Sequence, residues 1–241
     1  MYDVGQKPLV YAYAEIENAP DYVDLADARE IYENEDFLVH KEKGTPAIHS
    51  DIFRVLLCQK TPHIWVDTDA YLYKPLEATE GYLVGRLNED SVLTGIFRLP
   101  QLSAALTQMA EYLTGPYQVP PWWDEERKAA AADFTSFIEL RWGATGPDAL
   151  THFMISNDEL KFTLDPKVLY PIRSRKIKAV CQSPRMVLPA LDSNTVSLHL
   201  YGSFLRRILI RRGESEGPRS NSYLGRLCSL HGIDPSTAPI V

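Results

Sequence analysis

The stretch His63-Ile64-Trp65-Val66-Asp67-Thr68-Asp69-Ala70 constrains the fold more than any other part of the chain. Ile64, Trp65 and Val66 favour extended backbone, and two carboxylates one residue apart follow at once. The run predicts a strand buried on both faces, as in the centre of a parallel sheet. Bare charges are costly at the end of such a strand. A divalent cation at its carboxyl end offsets that cost, and open α/β sheets place their ligands there. Carboxylate oxygens suit magnesium, manganese or calcium better than zinc. The competing reading is a pair of ordinary loop aspartates capping the next turn.

The length suits one large domain or one and a half. The net charge is −7, with the acidic residues concentrated in the first third. That balance argues against nonspecific nucleic-acid binding as the main role and leaves room for a local basic patch. No apolar stretch reaches transmembrane length, and no secretory signal opens the chain. Cys58, Cys181 and Cys228 are widely spaced and odd in number. They read as reduced structural thiols rather than a disulfide frame or zinc site, which places the protein in the cytoplasm.

In chain order, Pro8 to Ala14 reads as a strand and Asp27 to Tyr32 as a short helical or loop step. Pro46 to Gln59 is a helix, because Ile48, Ile52, Val55 and Leu56 recur at helical spacing and Phe53 and Leu57 widen the stripe. His49, Ser50, Asp51 and Arg54 fall on its polar side. A simple Asp51–Arg54 ion pair there is worth only about 0.2–0.5 kcal/mol. Two strand-like runs, Tyr82 to Val84 and Val92 to Phe97, flank a turn-rich Asn88-Glu89-Asp90-Ser91. Pro100 to Leu113 reads as an amphipathic helix with Leu102, Ala105, Leu106 and Met109 on one face, and Asp124 to Trp142 as a second helix. Trp122 and Trp123 are expected in a satellite core under the intervening loop.

Thr145-Gly146-Pro147 starts another helix, with proline in the first helical position. The amides of such a start can hold an anion, and plain capping is the simpler reading. A basic run, Arg173 to Lys178, lies in a proline-punctuated stretch that either meets a phosphate or is solvated. His199 falls in a late strand, Val196 to Tyr201, where a lone histidine is ordinarily structural. Phe204 to Arg212 alternates apolar and basic residues. It reads as a solvated terminal element or as a peripheral contact with an anionic membrane.

Four features in this order carry a resemblance: Ser50-Asp51-x-x-Arg54, Asp67-x-Asp69 after an apolar strand, Gly146-Pro147-x-x-Leu150-Thr151, and His199 in Leu-His-Leu-Tyr. The set resembles the glycosyltransferases whose sugar-binding region contains the DXD motif, among them α-1,4-galactosyltransferases and yeast-type mannosyltransferases. The resemblance spans about Val10 to Arg206. It implies an α/β GT-A fold, a mixed sheet flanked by helices, and transfer from a nucleotide-diphosphate sugar with retained configuration. It also implies that Asp67, Asp69 and His199 bind Mn²⁺ or Mg²⁺, that Asp51 and Arg54 hold donor-sugar hydroxyls, and that Gly146 and Pro147 lie near the sugar and diphosphate. The donor would be a UDP- or GDP-sugar and the acceptor a glycan, a lipid-linked sugar or a protein. Residues 1–212 would form the catalytic domain and 213–241 a tail or small helical extension. Two departures stand out. Pro62-His63 replaces paired glycines before the strand, and the family's opening strand, with its Trp-x-Gly-like segment, is not matched, so the sheet is expected to lack its first strand.

Two other readings compete. One is a degenerate relative that binds a sugar or partner without catalysis. The other is a haloacid-dehalogenase-type phosphatase, which also places Asp-x-Asp after an apolar strand. In that class the motif tends to open the domain, and a Thr or Val usually stands where this chain has Tyr71.

Overall fold

A computed structural model describes residues 4–237. In chain order the elements are β1 (Leu9–Ala12), β2 (Asp24–Asp27), α1 (Ala47–Lys60), β3 (Trp65–Val66), β4 (Ala70–Leu72), β5 (Leu83–Asn88), β6 (Ser91–Arg98), α2 (Ala104–Thr114), α3 (Glu125–Ala130), α4 (Pro147–Ser156), α5 (Pro166–Leu169), β7 (Ser197–His199), α6 (Gly202–Arg211) and α7 (Tyr223–Leu230), with short 3-10 turns between them. The protein is a mixed α/β structure with small sheets and several helices. It divides into two compact units. The first takes the chain as far as Val66 and again over Pro75–Leu164; the second takes Asp67–Lys74 and the chain from Asp165 onwards.

The first unit holds a parallel pair, β1 with β2, and an antiparallel sheet of order β3-β6-β5. The strand expected at the centre of a parallel sheet is instead the two-residue edge strand β3, with Trp65 opposite Phe97 and Val66 opposite Ile96. Its residues are half-buried. Pro62 cannot donate to a ladder, and the chain turns at Asp67, so little length remains for pairing. α2 packs on both α1 and α4, and α4 on β6, around Ile52, Val55, Phe97, Leu106, Met109, Leu150 and Met154. Trp122 and Trp123 join this main core rather than a satellite.

Ser103 caps α2, its hydroxyl accepting from Leu106 N, which leaves Leu102 outside the helix and 97% exposed instead of on the apolar face. The helix expected over Asp124 to Trp142 shrinks to α3, because the chain turns at Ala131 to bring Ala131, Phe137 and Leu140 into the core. Glu159 is buried and accepts from Ser103 Oγ (2.5 Å), Tyr82 Oη (3.0 Å) and Ala105 N (3.0 Å). It is a second cap on α2 supplied from beyond the end of α4, and together with burial its charge pushes the Tyr82 hydroxyl up to about 12. Glu159→Ala strands two buried donors and the half-buried Tyr82 hydroxyl, so we expect a loss on the order of 3 kcal/mol, read from the urea midpoint.

Arg98, buried at the end of β6, donates through Nη1 to the carbonyls of Cys58 (3.1 Å), Thr61 (2.5 Å) and His63 (3.4 Å). These are the orphan carbonyls of the α1 C-terminus and the turn beyond it. One guanidinium thus fixes the path from α1 into β3.

The second unit is built on the antiparallel pair β4–β7, in register Ala70↔His199, Tyr71↔Leu198 and Leu72↔Ser197. α6 and α7 both pack on the 3-10 stretch Ser174–Cys181. Its core is Ile177, Val180, Val187, Leu198, Leu205, Leu209 and Tyr223. Cys58 and Cys181 are buried free thiols and Cys228 is a half-buried one.

Candidate metal centre

The structure gathers the residues singled out in the sequence into two groups, one in each unit. The group in the second unit is Asp67, Asp69 and His199. Asp67 to Ala70 is a tight turn closed by Ala70 N–H on the Asp67 carbonyl (3.0 Å). Leu200 N–H donates to the Asp69 carbonyl (2.8 Å), and the β4–β7 register sets Ala70 opposite His199. The ladder therefore delivers both aspartates and the histidine to one end of the pair. Their candidate ligand atoms all lie within 4.8 Å of one another. His199 Nε2 stands 3.5 Å from Asp67 Oδ2 and 3.3 Å from Asp69 Oδ1. Ligands bound to one cation at about 2.0–2.6 Å are roughly 3–3.7 Å apart, and the two distances from His199 Nε2 fall in that range.

Two backbone amides orient the group. Gly202 N–H, at the start of α6, donates to Asp69 Oδ2 (2.6 Å), and Tyr201 N–H donates to His199 Nδ1 (3.1 Å). Both amides point inward because Tyr201 holds a left-handed conformation, φ 50° and ψ 60°. That conformation costs a non-glycine residue about 1–3 kcal/mol. At Gly202 a Cβ would stand 3.2 Å from Asp69 Oδ2, so the bare backbone permits the close approach. The Tyr201 hydroxyl is buried without a hydrogen-bond partner among the described residues, and burial and the Asp69 charge push it up to about 12. Tyr201 and Gly202 were not singled out from the sequence. The signal present was a Tyr-Gly step directly after the His199 strand.

The tautomer matters for ligation. With Nδ1 accepting from Tyr201, a neutral ring carries its proton on Nε2 and donates it towards the two carboxylates. To bind a cation through Nε2 the ring must carry that proton on Nδ1 and give up the Tyr201 bond. The carboxylates could take a cation without any change of protonation, whereas His199 as it stands is an orienting donor. His199→Ala is accordingly expected to weaken Mn²⁺ binding by about tenfold to a hundredfold, the range for a supporting partner. Calorimetric titration measures it.

The first-unit group is Asp51, Arg54, Gly146 and Pro147. His49, Asp51 and Arg54, expected on the polar side of α1, are buried. The His49 ring sits among Tyr13, Tyr32 and Phe37, with Nε2 2.9 Å from the Tyr13 hydroxyl, and burial lowers its pKa. Arg54 donates to Thr94 O (2.7 Å), Ser50 O (3.2 Å) and Ser50 Oγ (2.9 Å), stands 3.6 Å from Asp51 Oδ1 and covers the Trp65 ring at 4.9 Å. Thr145 donates to Asp51 Oδ2 (2.8 Å), so its hydroxyl serves Asp51 and makes no cap on α4. A Cβ on Gly146 would lie 2.5 Å from Asp51 Oδ1. The anion at the start of α4 is therefore this chain's own carboxylate, placed where the helix dipole favours it.

No protein family, curated protein or solved structure matches this chain. Asp67, Asp69 and His199 form a group that could bind a metal ion, and among the described residues no helix is long and apolar enough to cross a membrane.

Proposed function

We propose that the chain is a metal-dependent glycosyltransferase of GT-A-like ancestry, taking a sugar from a UDP- or GDP-sugar with retention of configuration. The single observation that carries the reading is the convergence of the Asp67 and Asp69 carboxylates with His199 from a strand far along the chain. Two carboxylates on one side, with His199 orienting them, would leave the rest of a Mg²⁺ or Mn²⁺ coordination sphere to water and phosphate oxygens, as sites that bind nucleotides do. The cation supplies charge neutralisation for a departing nucleoside diphosphate.

The chain's own residues set up the rest. Gly202 N–H and the start of α6 hold Asp69, and Tyr201 N–H and the β4 ladder hold His199 as a donor facing the carboxylates; both supports are backbone groups. A leaving group neutralised in this way needs no protonating acid. That is consistent with carboxylates one residue apart rather than the two facing carboxylates of a hydrolase.

The test is calorimetric titration with UDP- and GDP-sugars, in Mn²⁺ and then in EDTA. Manganese-dependent binding of one nucleotide sugar is the expected result. Cation binding with no affinity for any nucleotide sugar overturns the transferase reading and favours a metal-binding protein of another kind. Release of phosphate from a generic phosphomonoester favours the phosphatase alternative.

A further inference from the structure

Charge is unevenly divided along the chain. The second unit contains 13 Lys and Arg against 7 Asp and Glu, in a protein with 25 against 32 overall. A protein of net charge −7 is repelled by an anionic surface as a whole, so any attraction has to come from a local patch. Part of the excess lies on α6. Leu205 and Leu209 face the core, and Arg206, Arg207 and Arg211 are exposed. At 100° per residue, Arg207 stands opposite the buried pair, with Phe204 on one flank and Ile210 on the other. Phe204 and Ile210 are 45% and 46% exposed, and the Arg207 guanidinium covers the Phe204 ring at 4.8 Å. α6 packs on the stretch Ser174–Cys181, which turns Ile177 inward and leaves Arg175, Lys176 and Lys178 exposed. Among the described residues none of these six cations forms an ion pair, whereas Arg212 and Arg219 are both taken up by Glu214.

Unneutralised arginines around two half-exposed apolar side chains match the boundary between phosphate headgroups and acyl chains. They match RNA less well. Single-stranded nucleic acid is held by bases stacked on open aromatic faces in a groove, and here Ile210 offers no such face and Arg207 covers Phe204. We propose that the outer face of α6 docks the protein on an anionic lipid surface, with Arg206, Arg207 and Arg211 among the phosphates and Phe204 and Ile210 between the headgroups. α6 begins at the amide that holds Asp69, so the docked face adjoins the candidate metal centre. On the transferase reading, that favours an acceptor carried on a lipid. The docking itself does not depend on that reading.

The test is sedimentation of the full chain with vesicles of phosphatidylcholine alone or mixed with phosphatidylserine, at low and high salt, without nucleotide or metal. The expected result is binding to the phosphatidylserine vesicles at low salt and release at high salt. One surface charge is worth roughly a fivefold change in partition, so Arg207→Gln lowers it about fivefold and Arg207→Glu about thirtyfold. Among the described residues the Arg207 side chain hydrogen-bonds the Ser203 carbonyl alone and rests on the Phe204 ring, and circular dichroism of both variants verifies that the helix is kept. Equal partition onto the two vesicle types overturns the proposal, as does an unchanged Arg207→Glu variant. So does displacement from the vesicles by a mixed-sequence single-stranded RNA at lower concentration than by soluble phosphatidylserine.

Discussion

Asp69→Asn is expected to remove Mn²⁺ binding, with a loss of affinity beyond about a hundredfold, and to leave the far-ultraviolet spectrum unchanged. The supporting partners of a metal site cost up to about a hundredfold when removed, and a direct anionic ligand costs more. Asparagine keeps the shape of the side chain and an oxygen that can still accept the Gly202 amide, so the cap on α6 survives while the charge is lost. Asp67→Asn tests the other carboxylate with the same logic. The order of effects is the informative part. Either aspartate should cost more than His199→Ala if the imidazole orients the carboxylates, and the three losses should be alike if all are ligands. Unchanged Mn²⁺ affinity in both asparagine variants would sink the metal assignment and leave Asp67 and Asp69 as turn and helix-cap residues. Nucleotide-sugar binding that persists in either variant would show that the diphosphate is held elsewhere.

The local elements of the first unit were largely legible because their signals are local. α1 follows from apolar residues at helical spacing, β5 and β6 from two β-rich runs around Asn88 to Ser91, and the start of α4 from Gly146-Pro147. What failed was decided by partners far away. Periodicity put His49, Asp51 and Arg54 on a polar face and could not say that Tyr13, Thr94 and Thr145 cover it. A long helix is expected over Asp124 to Trp142, but burial of Phe137 and Leu140 ends it early. Ile64 to Val66 has the composition of a central strand, and nothing local reveals that β6 pairs with only two of its residues.

In the second unit the site was legible only in pieces. Asp67-x-Asp69 is visible in the sequence, and His199 joined it through family resemblance alone. Spacing gives no reason to pair residues so far apart; the reason is the register that sets Ala70 opposite His199. Tyr201 was invisible because its contribution is a backbone angle. A positive φ is anticipated at glycine or asparagine, and a tyrosine carries no such mark. The membrane-facing reading of Phe204 to Arg212 needed the structure to separate the residues that face the core, Leu205 and Leu209, from those that do not.

Arg54→Met is expected to destabilise the first unit by about 3–5 kcal/mol, the cost of leaving a buried carboxylate without its cation. For a chain of this size that is a fall in Tm of roughly 6–20 °C. As an exposed pair three residues apart on a helix, Asp51 and Arg54 would contribute only about 0.2–0.5 kcal/mol. Burial decides between the two figures: the side chains are 10% and 8% exposed, Thr145 completes Asp51, and the Thr94 carbonyl and Ser50 complete Arg54. Arg54→Met leaves that carboxylate facing a thioether, and it also strands the Thr94 carbonyl. Adding Asp51→Leu to Arg54→Met should recover much of the loss, because replacing both partners removes the desolvated charge as well as the pair. Slowed hydrogen exchange along α1 in the double variant, relative to Arg54→Met alone, would locate the recovery in that helix. A single variant that melts with the parent and loses only nucleotide-sugar affinity would assign the pair to sugar binding, with the packing around it incidental. A variant that melts early and is rescued by Asp51→Leu assigns it to the fold, and the residues that grip the sugar must then be sought elsewhere.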